Sequence, residues 1–384
     1  MFCEHFGKCG GCTYLDIPYE EELALKKESL TETLGEYANF FDVLHPAPSV
    51  EGYRNKMEFA FGDESKDGNL ALGIRKRRNF YEVATPTDCV LICDDFKKIV
   101  QSVINFFREH NETFFHRKRH IGSLRHLVLR RGHFTNEILV LLSTTSNLQT
   151  PLNLFSENLL ALPLDGKIVG ILHAENDGVA DAVKNENVRL LHGRDFYYEK
   201  ICGLSFKVSA FSFFQTNSHA AEILYGVVQK FAGNGANALD MYCGTGTIAQ
   251  IISPAFQSVT GIELIEEAIL AAKENALQNN ISNCNFLAGD AFKTLSEITN
   301  TPNFDAIILD PPRDGLHPKA LAGIAALNAP KIIYVACKPK SLVRDLPTLL
   351  DAGYTLEKIE AVDMFPRTPH VEVVVELHSI NFPM

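Results

Sequence analysis

The sequence predicts an α/β protein in which a parallel sheet with crossover helices follows an α+β region. Three observations carry this. From about Ser209 short apolar runs alternate with helix-length segments. The preceding stretch instead reads as successive β-like runs, MEFAFG, LALGI, HLVLRR and EILVLLST. The tail, YTLEKIEAVDMFP followed by HVEVVVELHSI, adds two strands with no helix between them. A chain of 384 residues with 46% hydrophobic content can build two cores. The change of rhythm sets the expected regions at residues 1–205 and 206–384.

The chain opens with MFCEHFGKCGGC, which places Cys3, Cys9 and Cys12 in a C-x5-C-x2-C spacing. There is no basic-then-apolar leader and no run of about 18 apolar residues, so a cytoplasmic protein without a membrane span is expected. Thiols stay reduced there, and nine cysteines, an odd number, read as metal ligands or nucleophiles rather than a disulfide frame. Spacing alone leaves an iron–sulfur cluster and zinc equally open.

After Pro18, EEELALKKESLTETLGEYANFF reads as helix. Basic residues then gather: Arg54 and Lys56, Arg75 to Arg78, and RKRHIGSLRHLVLRRGH, where Arg117, Lys118, Arg119, Arg125, Arg130 and Arg131 meet no acid. The net charge of −11 argues against nonspecific nucleic-acid binding by the whole surface. Three basic clusters in one region nevertheless predict a basic face suited to a phosphate backbone. An ordinary solvated charged surface is the competing reading.

In the second half, ANALDMY, SVTGIEL, NCNFLAGD, FDAIILD and KIIYVAC are the strands, separated by helices such as IEEAILAAKENALQNN and LVRDLPTLLDAG. With an antiparallel last strand at the sheet edge, this is the Rossmann-like layout of class I methyltransferases. In LDMYCGTGT, Gly244 and Gly246 let backbone approach a ligand ahead of a helix N-terminus. Glu263 ends the next strand, where an acid holds ribose hydroxyls. With no P-loop lysine and no third glycine, a nucleoside without pyrophosphate fits, and S-adenosyl-L-methionine is such a ligand.

ILDPPRDG places Asp310 before two prolines, a rigid turn at the ligand-binding edge of the sheet. Amine methyltransferases carry a stacking aromatic after Asp-Pro-Pro, but Arg313 stands here, which directs attention to another chemistry. YVACKP sets Cys337 at the end of the fifth strand, and FPRTPHVEVVVEL sets Glu372 at the start of the last. Methylation of a pyrimidine carbon 5 needs a thiolate to attack carbon 6 and a base to remove the carbon-5 proton. One cysteine and one carboxylate are the minimum set.

With these motifs in place, the chain resembles the bacterial RNA uridine carbon-5 methyltransferases that make 5-methyluridine in 23S rRNA and tRNA. The cysteine set, YRNKMEFAFG, SLRHLVLR, SFFQTN, DMYCGTGT, GIEL, LDPPRDG, YVACKP and MFPRTPHVEVVV match family signatures in order over nearly the full length. The resemblance implies that Cys337 is the nucleophile and Glu372 the base. It implies a cofactor site of Gln215, Tyr242, Glu263 and Asp310, with Thr247 and Asp290 as further candidates. It also implies a 4Fe–4S cluster on Cys3, Cys9, Cys12 and Cys89, structural because methyl transfer has no redox step, with Cys93 as the rival of Cys89.

Ala336 and Lys338 depart from the serine and asparagine that usually flank the nucleophile, and Lys338 is placed to lower the thiol pKa. A cysteine set without a preceding β-barrel module is most similar to the smaller 23S rRNA enzymes. The alternatives are tRNA as substrate, amine methylation, or a non-catalytic metal-containing RNA-binding protein. RNA is the expected partner; no membrane and no protein partner are implied.

Overall fold

The structure, a computed structural model, describes residues 3–79, 81–180, 183, 187–290, 293–294 and 303–382. Helix α1 (Tyr19–Leu34) starts after Pro18 and carries Glu20, Glu21 and Glu22 in its first turn, where the helix dipole favours acids. It ends at Gly35, whose φ of 57° suits only a residue without a Cβ. A 3-10 turn, Gly35–Phe40, leads into β1 (Phe41–His45).

The first sheet has seven strands in the order β4 (Val83–Ala84), β3 (Leu70–Arg75), β2 (Lys56–Asp63), β5 (Leu124–Arg131), β6 (Glu137–Thr144), β7 (Lys167–Glu175) and β8 (Val188–Gly193). All four β runs read from the sequence are strands here. Among the described strand pairs of this sheet only β6 and β7 run parallel, and helix α3 (Leu152–Leu160) makes that crossover. Helix α2 (Asp94–Glu109) buries Phe96, Ile99, Val103 and Phe107 against Phe59, Leu127, Leu129 and Val140 on one face.

The second sheet has eight strands: β1, β16 (Tyr354–Val362), β17 (Glu372–Ser379), β15 (Lys331–Ala336), β14 (Ala306–Leu309), β11 (Gly235–Met241), β12 (Phe256–Glu263) and β13 (Cys284–Ala288) in spatial order. Strands β11, β14 and β15 are apolar almost throughout and sit between layers, as parallel strands covered on both faces should. Helices α4 (Ser218–Ala232), α5 (Thr247–Ile252) and α6 (Glu266–Gln278) pack on one face, and α7 (Pro318–Ala326), α8 (Pro339–Asp351) and α1 on the other.

One core joins Val128, Leu139 and Leu172 of the first sheet to Val228 of α4 and Val335 and Val374 of the second. The hairpin β9 (Phe196–Ile201) and β10 (Leu204–Ser209) fills the space between through Tyr197 and Phe206. The antiparallel β17 is inserted between β15 and β16, not at the sheet edge that the sequence suggests. The edge belongs to β1, which pairs parallel with β16, while Leu30 and Leu34 of α1 enter the core beneath. The segment from Tyr19 to His45 thus packs with the C-terminal sheet. Among the described residues no helix is long and apolar enough to cross a membrane.

Candidate active site

The loop from β11 to α5 forms one half of the site. Tyr242 has a φ of 65°, and Gly246, with a φ of 75°, caps α5. A Cβ at Gly246 would lie 2.7 Å from the Phe286 ring, so only glycine lets the loop close against β13. Buried Asp240 accepts the Ala249 N–H at 2.9 Å and ties α5 to its strand. Burial, then Asp310, pushes the Asp240 carboxyl well above the usual carboxylate range.

Glu263 receives the Gly244 N–H on Oε2 at 3.2 Å and the Ile265 N–H on Oε1 at 3.0 Å. A carboxylate has about four acceptor positions, so the pair of oxygens keeps capacity for two ribose hydroxyls. Tyr242, Glu263 and Asp290 line a cavity of about 310 Å³ together with Ile262, Leu264, His317 and Lys319. The loop and this donor set fit the nucleoside half of S-adenosylmethionine. Thr247 lies buried as the first residue of α5.

The other half stands at the end of β15. The antiparallel ladder pairs Val335 with Val374 and Ala336 with Val373, which brings Cys337 opposite Glu372 at the next step. Burial pushes the Cys337 thiol up, Glu372 and Asp310 push it further, and Arg313 opposes them by charge and hydrogen bond. Burial, then Asp310, holds the Glu372 carboxyl well above the carboxylate range, again against Arg313. Burial alone pushes Asp310 up to about 7.

These four groups form one cluster. The cation acting on the thiol is therefore Arg313, from the Asp-Pro-Pro turn, whereas Lys338 is an exposed residue at the start of α8. That turn is held by Ser341 Oγ donating to the Arg313 carbonyl at 2.8 Å and Arg344 Nη2 donating to that of Asp314 at 2.7 Å. Cys337 also sits just ahead of α8, whose first residue is Pro339. A second cavity of about 180 Å³ opens beside Cys337, lined by Lys338, Lys340 and His370 and by Ser29 and Thr33 of α1.

Gln215 is buried in the loop between β10 and α4, where its carbonyl accepts Asn55 Nδ2 at 3.2 Å. Two residues earlier in the same loop Phe213 is 72% exposed, an aromatic face that the sequence alone does not single out. Its neighbour Phe214 is buried, so the motif SFFQTN does not distinguish them; exposure does.

The expected basic face is corrected at its centre. Arg130 is 1% exposed, and its Nη1 donates to the carbonyls of Ser209, Ala210 and Ser212 at 2.6, 3.0 and 2.7 Å. Arg125 is 3% exposed and donates to the carbonyls of Asn176, Gly178 and Ala180 at 3.0, 2.8 and 2.5 Å. Arg131 donates to Asn136 Oδ1 at 2.6 Å. Arg125 and Arg130 lie on β5, an inner strand of the sheet, and they pin remote loops, the Arg130 set leading straight to Phe213. The surface positive charges of the region include Arg77, Arg78, Lys118 and Arg119.

The thiols of the expected metal set are neighbours. Burial pushes Cys12 up to about 12, with Cys89, Cys9 and Cys3 adding, and burial raises Cys89, with Cys3 and Cys9 among the groups adding. Cys93 instead stands at the start of α2. Among the described residues no group of three or more His, Cys, Asp or Glu side chains is disposed as a metal cage.

A parallel sheet in the order β13–β12–β11–β14–β15 with an inserted antiparallel strand, a glycine loop and an acid ending the second strand defines an S-adenosylmethionine-dependent class I methyltransferase. The profile of the tRNA (uracil-5-)-methyltransferases matches residues 18–380. The chain belongs to this family, as an S-adenosylmethionine-dependent RNA (uracil-5-)-methyltransferase. An uncharacterized RNA methyltransferase of Clostridium tetani is 44% identical over 381 residues, 98% of this chain and 83% of that one. One of Bacteroides thetaiotaomicron is 35% identical over 399 residues, 98% and 87%. The crystal structure of the Pyrococcus abyssi tRNA (uracil-54, C5)-methyltransferase with S-adenosyl-L-homocysteine matches with a TM-score of 0.79 and 28% identity, covering 96% of this chain and 86% of that one.

Proposed function

We propose that the protein methylates carbon 5 of a uridine in 23S rRNA through a covalent adduct on Cys337 that Glu372 resolves. The observation that carries this reading is that thiol and carboxyl stand one step beyond the last pair of the β15–β17 ladder, with Asp310 and Arg313 acting on both.

The Cys337 thiolate attacks carbon 6, and the electrons of the 5,6 double bond move toward carbon 5 and the carbon-4 oxygen as an enolate. Tyr242, Glu263, Asp310 and Gln215 would hold S-adenosylmethionine, which would supply the methyl group that carbon 5 takes and leave as S-adenosylhomocysteine. Glu372 then takes the carbon-5 proton, the double bond re-forms, the carbon 6–sulfur bond breaks and the thiolate leaves. Arg313 steadies negative charge on both groups. Phe213 offers a face on which an extruded base can stack, because the target must leave its helix to reach the sheet edge.

The thiols Cys3, Cys9, Cys12 and Cys89 match a 4Fe–4S cluster in donor type and number, and the reading rests on that and on the family resemblance, because the four are near one another without being disposed as a cage. Its role here is structural, in a cytoplasmic enzyme. The cysteine set favours 23S rRNA. A second reading, tRNA, is favoured by the family's name and by the Pyrococcus abyssi neighbour. Mapping 5-methyluridine in both RNAs of a deletion strain decides: loss from 23S rRNA alone is expected, and loss from tRNA alone overturns the rRNA assignment.

A further inference from the structure

The strand that begins with Glu372 is reached through residues 363–371, and this connection is gripped by the N-terminal part of the chain. Lys26 of α1 has a fully buried side chain that lies 2.8 Å from Glu22 and 2.7 Å from Asp363, and it also donates to the Phe365 carbonyl at 3.2 Å. Tyr19 donates its hydroxyl to the other Asp363 oxygen at 2.9 Å. Glu22 in turn accepts the Arg367 N–H at 2.6 Å and its guanidinium at 3.2 Å. The Arg367 carbonyl accepts the Thr13 and Tyr14 N–H groups at 2.7 and 3.2 Å, immediately after Cys12.

Arg367 adopts a φ of 70°, a conformation that a long side chain takes only where its surroundings impose it. Burying two acids and two bases is a poor route to stability, because desolvation cancels much of the attraction. A discrete set of charges does, however, fix one geometry of the connection, five residues before Glu372. A general base must stand within hydrogen-bond reach of its proton, and small displacements are costly.

We infer that Glu22, Lys26, Asp363 and Arg367 are positioning residues that set Glu372 against the carbon-5 proton, and that they link the cysteine-bearing chain start to the base. The inference rests on Glu372 being the base. The network acts only after methyl transfer, when the carbon-5 proton passes to Glu372 and the carbon 6–sulfur bond breaks. Its loss therefore stalls the methylated adduct rather than preventing its formation.

The test uses the full-length protein with the RNA transcript that deletion mapping identifies. For Lys26→Met, cofactor Kd and RNA KM are expected within about twofold of the parent, kcat down roughly 10²-fold, and a methylated protein–RNA adduct that survives denaturing electrophoresis. Lys26→Arg, which restores the cation, is expected to recover part of the turnover. If Lys26→Met does not fold, Tyr19→Phe removes only one hydroxyl from Asp363, and a smaller accumulation of the same adduct is expected. Parental turnover in the variant that folds overturns the inference, as does loss of cofactor binding and methyl transfer together without an adduct. Glu372→Gln, run in parallel, separates the two ideas. An adduct with Glu372→Gln alone removes the positioning role, whereas inactivity with no adduct in Glu372→Gln removes the assignment of the base.

Discussion

Cys337 and Glu372 face each other across the end of the β15–β17 ladder, one step beyond the pair Ala336–Val373. Both are shifted toward their protonated forms, by burial first and then by their acidic neighbours, and Arg313 works against this at both. The reaction needs each of them deprotonated in turn.

A pH dependence follows with a definite sign. A raised pKa leaves less thiolate and carboxylate at neutral pH, so kcat/KM is expected to rise with pH across the neutral range. Arg313→Gln removes the opposing charge and should move the limb to higher pH. The rate of iodoacetamide labelling at the Cys337 peptide against pH checks this; an unchanged profile in Arg313→Gln contradicts it.

Arg130 and the surface cations should separate cleanly. Arg130→Met leaves buried carbonyls of Ser209, Ala210 and Ser212 without their donor, a loss of about 1–3 kcal/mol in urea unfolding. Lys118→Glu with Arg119→Glu should leave stability unchanged, weaken RNA binding and flatten its salt dependence. Salt-titrated binding of both variants decides; an RNA-specific effect of Arg130→Met with full stability would restore it to the surface.

What the sequence made legible follows the same division. Strands β14 and β15, and β11 less completely, are legible with the residues that end them because parallel strands are largely apolar runs, here bounded by motifs. The basic residues of β5 were misread because their acceptors, the carbonyls at 176–180 and 209–212, are remote in sequence. Strand β1 escaped notice since FDVLH is short and mixed, and its place depends on pairing with β16 more than 300 residues away. Nothing in the helical stretch distinguishes Lys26, because its partner Asp363 is remote in sequence.

Phe213 tests the base-extrusion step. Phe213→Ala removes an exposed ring and should leave thermal stability and cofactor binding intact. Catalytic efficiency toward RNA should fall by about 1–3 kcal/mol, the worth of one stacked base. Equal kinetics in both proteins would make the ring a bystander.

The thiol set makes its own prediction. Protein purified without oxygen should be brown and hold about four irons per chain. Cys93→Ser should keep that content, and Cys89→Ser should lose it. Stoichiometric zinc without a visible absorption band, from iron-replete anaerobic cells, contradicts the cluster.

The central claim is that the chemistry passes through a bond between Cys337 and uracil, and trapping that bond is its most direct test. RNA carrying 5-fluorouridine at the target position places fluorine where the departing proton belongs, so Glu372 has nothing to remove and the thiolate cannot leave. The wild-type enzyme with S-adenosylmethionine is predicted to give a methylated adduct that survives denaturing electrophoresis and maps to Cys337 by mass spectrometry. Cys337→Ala should give neither adduct nor product. Full turnover by Cys337→Ala on ordinary RNA, with no trapped species from the wild type, would contradict the account.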